Sequence, residues 1–489
     1  IDAIDALEQR HSRAAPPMQG RRFLLLHRAR TWAPSEQSWI GWERKRGKLE
    51  QLITVLATGA PSPFIDLGAR SSPAPGTPYI VTLDSDTGLP PGALRALVGV
   101  AAHPLNQPCV DPLRRRVVSG YGILQPRLST PLPEPRTATP FHWLFGGQSG
   151  IDPYSAATSE IYQDVFAEGS YTGKGLLNVQ ALHAVLSQRL PEGLILSHDL
   201  LEGSIARCAA VTDIILVEEA PMHADVASSR VHRWTRGDWQ LWPILLRWRR
   251  FDLLAIQRWK MVDNLRRSLV APMSVLLLLV CLWTGAVSPW AALALVVAAF
   301  GAGPLLGSVA GLAPPRDDLA LVHFYRQALG DVVRAVGTAV WSVLELLEQG
   351  LMLLDAIGRA LWRMNVSHRS LLRWTTAASA QASVQRTLGG IAVRHWPTTA
   401  LALAIAIVFA AGNPAWSAPA VLLCLLWVCT PVWVWWGSRP WLQVRMPGAS
   451  TSERDYLRSV ARDTWEFFAR HVVPQSHHLP PDNVQTLPQ

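Results

Sequence analysis

Tyr79-Ile80-Val81-Thr82-Leu83-Asp84-Ser85-Asp86 is the stretch whose reading decides the fold. A short β-branched run set between Pro and Gly signals and ending in an acid reads as a buried parallel strand. Phe23-Leu24-Leu25-Leu26-His27 and Ile214-Ile215-Leu216-Val217 read the same way. Between them lie helical patterns at Arg44–Leu56, Pro91–Ala102 and Gln180–Gln188. Strands alternating with helices predict an α/β domain with a mostly parallel sheet over residues 1–245.

The rest of the chain changes character. Of 489 residues, 49% are hydrophobic and 17% charged, against roughly 25% charged in soluble domains. The long uncharged runs all follow residue 268. Four of them, at 268–286, 290–312, 397–413 and 415–436, have the length and composition of membrane spans. Trp283, Trp290, Trp396 and Trp416 stand at their ends, where an aromatic belt belongs. The reading therefore divides the second half into an interfacial helix at 246–267, a span pair at 268–312, amphipathic helices at 313–395 (335–357 having a spanning alternative), and a second span pair at 396–437. The formal net charge is +9, and the strongest basic cluster, Arg230–Arg267, directly precedes the first apolar run. Cations in that place belong to a headgroup layer rather than to a nucleic-acid interface, so nucleic acid is not an expected partner.

Five cysteines, at 109, 208, 281, 424 and 429, show no CxxC or metal-site spacing. No disulfide framework is expected, which suits a cytosolic catalytic part. The chain opens in a helical pattern without an initiator Met. Near its other end, Ser452 is expected to cap an amphipathic helix, followed by Leu479-Pro480-Pro481-Asp482-Asn483. The segment 438–489 thus reads as a linker and the entrance to a further domain.

Four motifs can carry chemistry. Asp84-Ser85-Asp86, at a strand's carboxyl end, offers two carboxylates to one divalent cation, which can in turn hold a diphosphate; a turn or helix cap would use the same residues. Ser197-His198-Asp199 follows the apolar Gly193-Leu194-Ile195-Leu196 and opens a helical stretch. Asp199 there can deprotonate an acceptor hydroxyl, or simply cap the helix. In His232-Arg233-Trp234-Thr235-Arg236-Gly237-Asp238-Trp239, Arg233 and Arg236 can hydrogen-bond phosphate and the Trp faces can pack on sugar rings; a membrane-surface belt needs the same residue types. Glu168-Gly169-Ser170-Tyr171-Thr172-Gly173-Lys174-Gly175 is a Gly-rich turn open to close ligand approach. It lacks the Gly-Lys-Ser/Thr ending of a Walker A motif.

In that order, followed by membrane helices, these motifs resemble the processive inverting glycosyltransferases related to cellulose synthase. Longer blocks resemble the cyclic β-1,2-glucan synthases: Trp42-Glu43-Arg44-Lys45-Arg46-Gly47-Lys48-Leu49, Gly120–Arg127, Ser149-Gly150-Ile151-Asp152-Pro153-Tyr154, Ser197–Gly203 and His232–Gln240. The resemblance implies a GT-A-like domain using UDP-glucose with Mg²⁺ or Mn²⁺, set in the bacterial inner membrane with its catalytic part in the cytosol. It implies Asp84 and Asp86 as metal ligands and Asp199 as general base. It implies Arg233 and Trp234 as the Arg-Trp of a QxxRW signature, and Lys174 as a phosphate contact. Arg230 stands where that signature has Gln, a departure at the donor loop. A nucleotide-sugar donor, a growing glucan, the bilayer and downstream glycan-processing domains are the partners implied. By the same resemblance an earlier strand and an acidic uridine-binding segment would precede Ile1, so this stretch by itself is expected to turn over poorly. A synthase of another β-glycan, a non-catalytic scaffold and a transporter are the alternatives; few intramembrane charges disfavour the last.

Overall fold

The structure is a computed structural model that describes residues 1–11, 21–131, 133–134, 137–146, 157–313, 321–373, 377–412, 414–440 and 450–481. The block at 149–154 lies outside them. By packing, the chain forms two units, Ile1–Arg439 and Pro440–Gln489.

The first unit is built on five strands: β1 (Tyr79–Thr82), β2 (Thr87–Gly88), β3 (Ile123–Ser129), β4 (Gly175–Asn178) and β5 (Cys208–Glu218). They lie in the order β1-β4-β3-β5-β2. The centre is a parallel pair, β3 with β5, running from Ile123↔Cys208 to Ser129↔Val217. Its register shifts after Pro126, a residue without an N–H to give the ladder, where a bulge relieves the mismatch. The pairs β1–β4, β4–β3 and β2–β5 are antiparallel. The α/β class stands, but the sheet is mixed rather than mostly parallel. The segment 23–27 is not a strand either: Leu25 N–H donates to the Arg70 carbonyl and the His27 carbonyl accepts from Ile65, tying it to the loop at 64–70. Gly193–Leu196 likewise forms a loop.

The apolar runs in the strands have a simple cause. Successive strand residues point to opposite faces, and both faces of this sheet are covered. Ile123 and Leu177 pack with Val179 and Leu182 of helix α3 (Val179–Leu186) and with Leu201 and Ile205 of helix α4 (Asp199–Ala206). Their neighbours Leu124 and Leu176 face the other way, onto Leu97 of helix α2 (Ala93–Ala102). Helix α1 (Arg44–Thr58) adds Ile53 and Leu56 to the first face. Each fully buried aliphatic side chain stabilises the fold by about 1.5–3 kcal/mol.

Helix α5 (Ala224–Gln240) joins this layer to the helical region. There follow α6 (Ala255–Thr284), α7 (Pro289–Ala310), α8 (Leu321–Leu344), α9 (Leu346–Trp362), α10 (Leu388–Arg394), α11 (Trp396–Gly412), α12 (Ser417–Val428) and α13 (Thr430–Gly437). Among the described residues, α6 and α7 are long and apolar enough to cross a membrane. The spans number up to four if the bent pairs α10–α11 (69°) and α12–α13 (46°) each count as one. Leu276, Leu295, Ile407 and Leu422 point outward from these helices, as lipid-facing residues do. Their inner surfaces meet through Ala292, Ala402, Ala406 and Ala420 beside Phe409 and Trp427; such small residues let helices approach closely. The stretch read as interfacial, 246–267, is not one helix: Trp248–Phe251 forms a short helix that ends at Asp252, and from Ala255 helix α6 runs without a break into the first apolar run. The stretch 335–357 is divided between α8 and α9 at Glu345.

In the second unit, helix α14 (Thr451–His471) is capped by Ser450, not Ser452: the Ser450 hydroxyl accepts from the Glu453 N–H while the Glu453 carboxylate accepts from the Ser450 N–H.

Leu201 is fully buried in the layer that carries the cavity described next. Leu201→Ala should lower stability by about 2–5 kcal/mol, read as a fall in the thermal midpoint of the detergent-solubilised protein.

Candidate active site

The carboxyl ends of β1 and β5, the turn before β4, the start of α1, the start of α4 and one face of α5 enclose a cavity of about 690 Å³. Asp84, Asp86, Lys174, Asp199, Arg233 and Trp234 all line it. Residues far apart in sequence meet there because the ends of adjacent strands open at the same edge of the sheet.

Its electrostatics alternate tightly. Lys45, in the first turn of α1, donates to Asp84 Oδ1 at 2.5 Å and to the Gly173 carbonyl at 3.0 Å. Lys174 Nζ lies 3.5 Å from Asp84 Oδ2 and also donates to Glu218 at the end of β5. Arg230 of α5 lies 3.4 Å from Glu218 and 3.8 Å from Asp86, and its guanidinium stands 5.9 Å over the Trp234 ring. Burial works to raise the pKa of Asp84, but Lys45 and then Lys174 outweigh it and hold the carboxyl below its ordinary value. Asp199 differs: burial raises its pKa, His198 opposes and Glu202 adds to the rise. Two acids at one edge thus differ in character: the cations favour the ionised form of Asp84, while burial raises the proton affinity of Asp199.

Backbone geometry brings Asp199 to the cavity. Gly173 has φ +89°, and a Cβ there would stand 3.1 Å from both Asp199 carboxylate oxygens. The turn can lie against that carboxylate because it has no side chain. Gly237 does the same for the other wall: a Cβ on it would be 2.4 Å from Ser197 Cβ, so α5 touches the loop before Asp199 directly.

Two groups could receive a cation. Asp84 and Asp86 are part-exposed, converge on the cavity and already face Lys45, Lys174 and Arg230. A pair of carboxylates with open space beside it suits a hard divalent ion that completes its shell with phosphate oxygens and water. The ligand atoms of His198, Asp199 and Glu202 lie within 4.8 Å of one another, but His198 Nδ1 is 2.9 Å from Glu202. That pairing fills the space with an imidazole. It reads as an ion pair at the start of α4.

Arg236, read from sequence as a phosphate contact, is not among the lining residues. It is buried, and its guanidinium donates to the Arg373 carbonyl at 2.9 Å. A helix places residues three apart on one face only roughly, and here Arg233 faces the cavity while Arg236 faces the helical region. Lys45 and Glu218 are lining residues to which the sequence reading gave no role, and Arg230, noted there only as standing in place of the signature's Gln, lines the cavity as well. Glu218 had a usable signal, since it follows the apolar run Ile214–Val217 as Asp84 follows its own strand.

The chain is thus an α/β domain with an acid- and cation-lined cavity, continuous with a region of apolar helices. No protein-family model matches it. It is 40% identical over 475 residues to the cyclic beta-(1,2)-glucan synthase NdvB of Rhizobium meliloti (strain 1021), an alignment that covers 96% of this chain and 16% of that protein. The resemblance first seen in short blocks therefore extends over nearly the whole chain, which corresponds to one segment of a much longer relative.

Asp238 of α5 also lines the cavity. Burial pushes its pKa up to about 7, against an Asn264 Nδ2 hydrogen bond at 3.0 Å and Arg267. A raised carboxyl pKa contributes stability at low pH that is lost as pH rises through the folded value. Asp238→Asn should therefore gain on the parent between pH 5 and 8, by about 3 kcal/mol at most. Thermal midpoints of both proteins across that range check the sign.

Proposed function

We propose that this cavity is the transfer site of a membrane-bound, inverting glucosyltransferase that builds β-1,2-glucan from UDP-glucose. The observation that carries the reading is the gathering of Asp84, Asp86, Asp199, Arg233 and Trp234 around one cavity. The relative named above supplies the linkage and the sugar. Other β-glycan synthases would use the same machinery.

An α-linked donor becomes a β-linked product in one in-line displacement. That step needs a base beside the acceptor hydroxyl, compensation for the leaving diphosphate, and no enzyme nucleophile. Asp199 would take the acceptor proton; its raised affinity for protons and its half-buried carboxylate suit a base. Lys45, Lys174 and Arg233 would meet the diphosphate. Lys45 and Lys174 pair with Asp84, so both ammonium groups stand where phosphate oxygens would arrive. Asp84 and Asp86 would hold Mg²⁺ or Mn²⁺, which offsets charge developing on the diphosphate. Trp234 would offer its ring to the acceptor glucose.

The cavity wall continues through Ser268 and Ala271 of α6, Phe300 of α7 and Leu353 of α9. A growing glucan leaving the acceptor site would meet the apolar helices there. With those helices in a bacterial inner membrane, the domain of β1–β5 would lie on the cytosolic side, where nucleotide sugars are found, and further domains of the longer protein would process the product.

Asp199→Asn keeps the side chain's size and removes the base; glucan synthesis from radiolabelled UDP-glucose should fall by about 10²-fold or more, with UDP affinity within a fewfold of the parent. Asp84→Asn should instead weaken both synthesis and the dependence on added divalent cation. Undiminished synthesis by Asp199→Asn would favour a scaffold over an enzyme.

A further inference from the structure

Away from the cavity, the described residues hold a second concentration of buried charge. Asp225, in the first turn of α5, is 4% exposed, and His395 is 3% exposed. His395 occupies the bend between α10 and α11, where the pair turns by 69°. Its Nε2 lies 3.0 Å from Asp225 Oδ1 and its Nδ1 3.2 Å from Glu348 Oε2, in the first turn of α9. Thr398 of α11 donates to the same Glu348 oxygen, and Arg394 of α10 stands 3.3 Å from Asp225 Oδ2. One imidazole therefore joins three separate elements: the helix that carries Arg230, Arg233 and Trp234, a helix packed along it, and the break of a bent apolar helix pair.

A buried imidazole between two carboxylates is far from neutral in its effect on geometry. The ring neutralises both carboxylates at once, and removing it leaves Asp225 with Arg394 alone and Glu348 with the Thr398 hydroxyl, two like charges facing one another in a part-buried space. A weak joint would sit at a helix end in solvent. This one sits at the N-terminus of α5, where Asp225 also complements the helix dipole. A second contact lies two turns further along, His232 Nε2 to Asp355 Oδ2 at 3.0 Å between α5 and α9. Arg233 follows within about 12 Å of Asp225 along the axis. A helix is stiff over that length, so a shift at Asp225 is delivered to Arg233 and Trp234 at the cavity wall.

We propose that His395 is a positioning residue for the transfer site: by clamping Asp225 and Glu348 at the bend of α10–α11, it sets where α5 presents Arg233 and Trp234. The inference rests on the donor-site reading above, and adds to it a dependence of the cavity on the bent membrane-side pair. His395 touches no substrate in this scheme. Its action passes through α5.

The test compares the unaltered protein, His395→Leu and His395→Gln, each in lipid nanodiscs. Two readouts are taken: amide hydrogen exchange over residues 224–240, and affinity for UDP by calorimetry alongside KM and kcat for UDP-glucose. His395→Leu should speed exchange in the first half of α5, weaken UDP and raise KM about tenfold or more, with a smaller change in kcat. His395→Gln, whose amide N–H can still reach Asp225, should recover most of the affinity. A lower thermal midpoint with unchanged exchange in α5 and unchanged KM overturns the proposal, because it shows packing alone. Should His395→Leu not fold, the double variant Asp225→Asn/His395→Gln removes the buried charges while keeping an amide contact, and near-parent KM in it supports the clamp whereas tenfold weakening overturns it. Faster exchange in α5 together with no UDP binding by the unaltered protein would leave the joint standing and sink the donor-site reading instead.

Discussion

The structure depends on carboxylates at the carboxyl ends of strands being matched by cations from helices that precede and follow them. Asp84 follows β1 by two residues and Glu218 ends β5, at one edge of the sheet. Lys45 reaches Asp84 from α1, Lys174 bridges Asp84 and Glu218 from the turn before β4, and Arg230 reaches Glu218 and Asp86 from α5. Remove the cations and two acids at the sheet edge repel across a part-buried space; remove the acids and three cations do. The chain's ordinary core holds the sheet. This lattice of opposite charges holds the opening at its edge in a shape that a phosphate-bearing ligand could enter by exchange rather than by creating new charge.

Much of this was legible in the residues. The β-branched run before Asp84, the helices at 44–58 and 93–102, and the apolar runs after 268 announced themselves by period and composition. So did the cavity's main side chains, since Asp84, Asp86, Lys174, Asp199, Arg233 and Trp234 do converge. What misled was pairing direction. A run such as Ile80-Val81 is apolar at consecutive positions because both faces of the sheet are covered, and that holds for a mixed sheet as well as for a parallel one. Phe23–His27 has strand composition, but a strand needs a partner with free backbone groups, and the loop at 64–70 supplied scattered bonds in place of a ladder. Arg236 was beyond reach for a different reason. A basic residue next to two good candidates shares their chemistry, and only the helix's rotation sends it to the Arg373 carbonyl.

The helical region shows the same division between what composition dictates and what contact decides. Uncharged length gave the spans. It could not give the bends: Arg394-His395-Trp396-Pro397 marks a boundary between segments, but not that α10 and α11 meet there at 69° or which partners His395 finds. Nor could it join the later part of the interfacial stretch, from Ala255, and the first apolar run into α6, where Gln257 and Lys260 are buried against Glu168 and Gly169 of the α/β domain while the same helix, some turns later, presents Leu276 and Leu277 outward. One continuous helix thus has a polar root set into the domain and an apolar shaft, and so ties the two regions together without a hinge.

The missing side chain at Gly237 makes α5 and the loop before Asp199 bear on each other like a pin in a bushing. At that point no side chain of α5 separates its backbone from Ser197, so the two walls of the opening touch there without a spacer. A lengthwise shift of the helix would press on the residue two before Asp199, so the acid and the Arg-Trp pair share one point of contact between their elements.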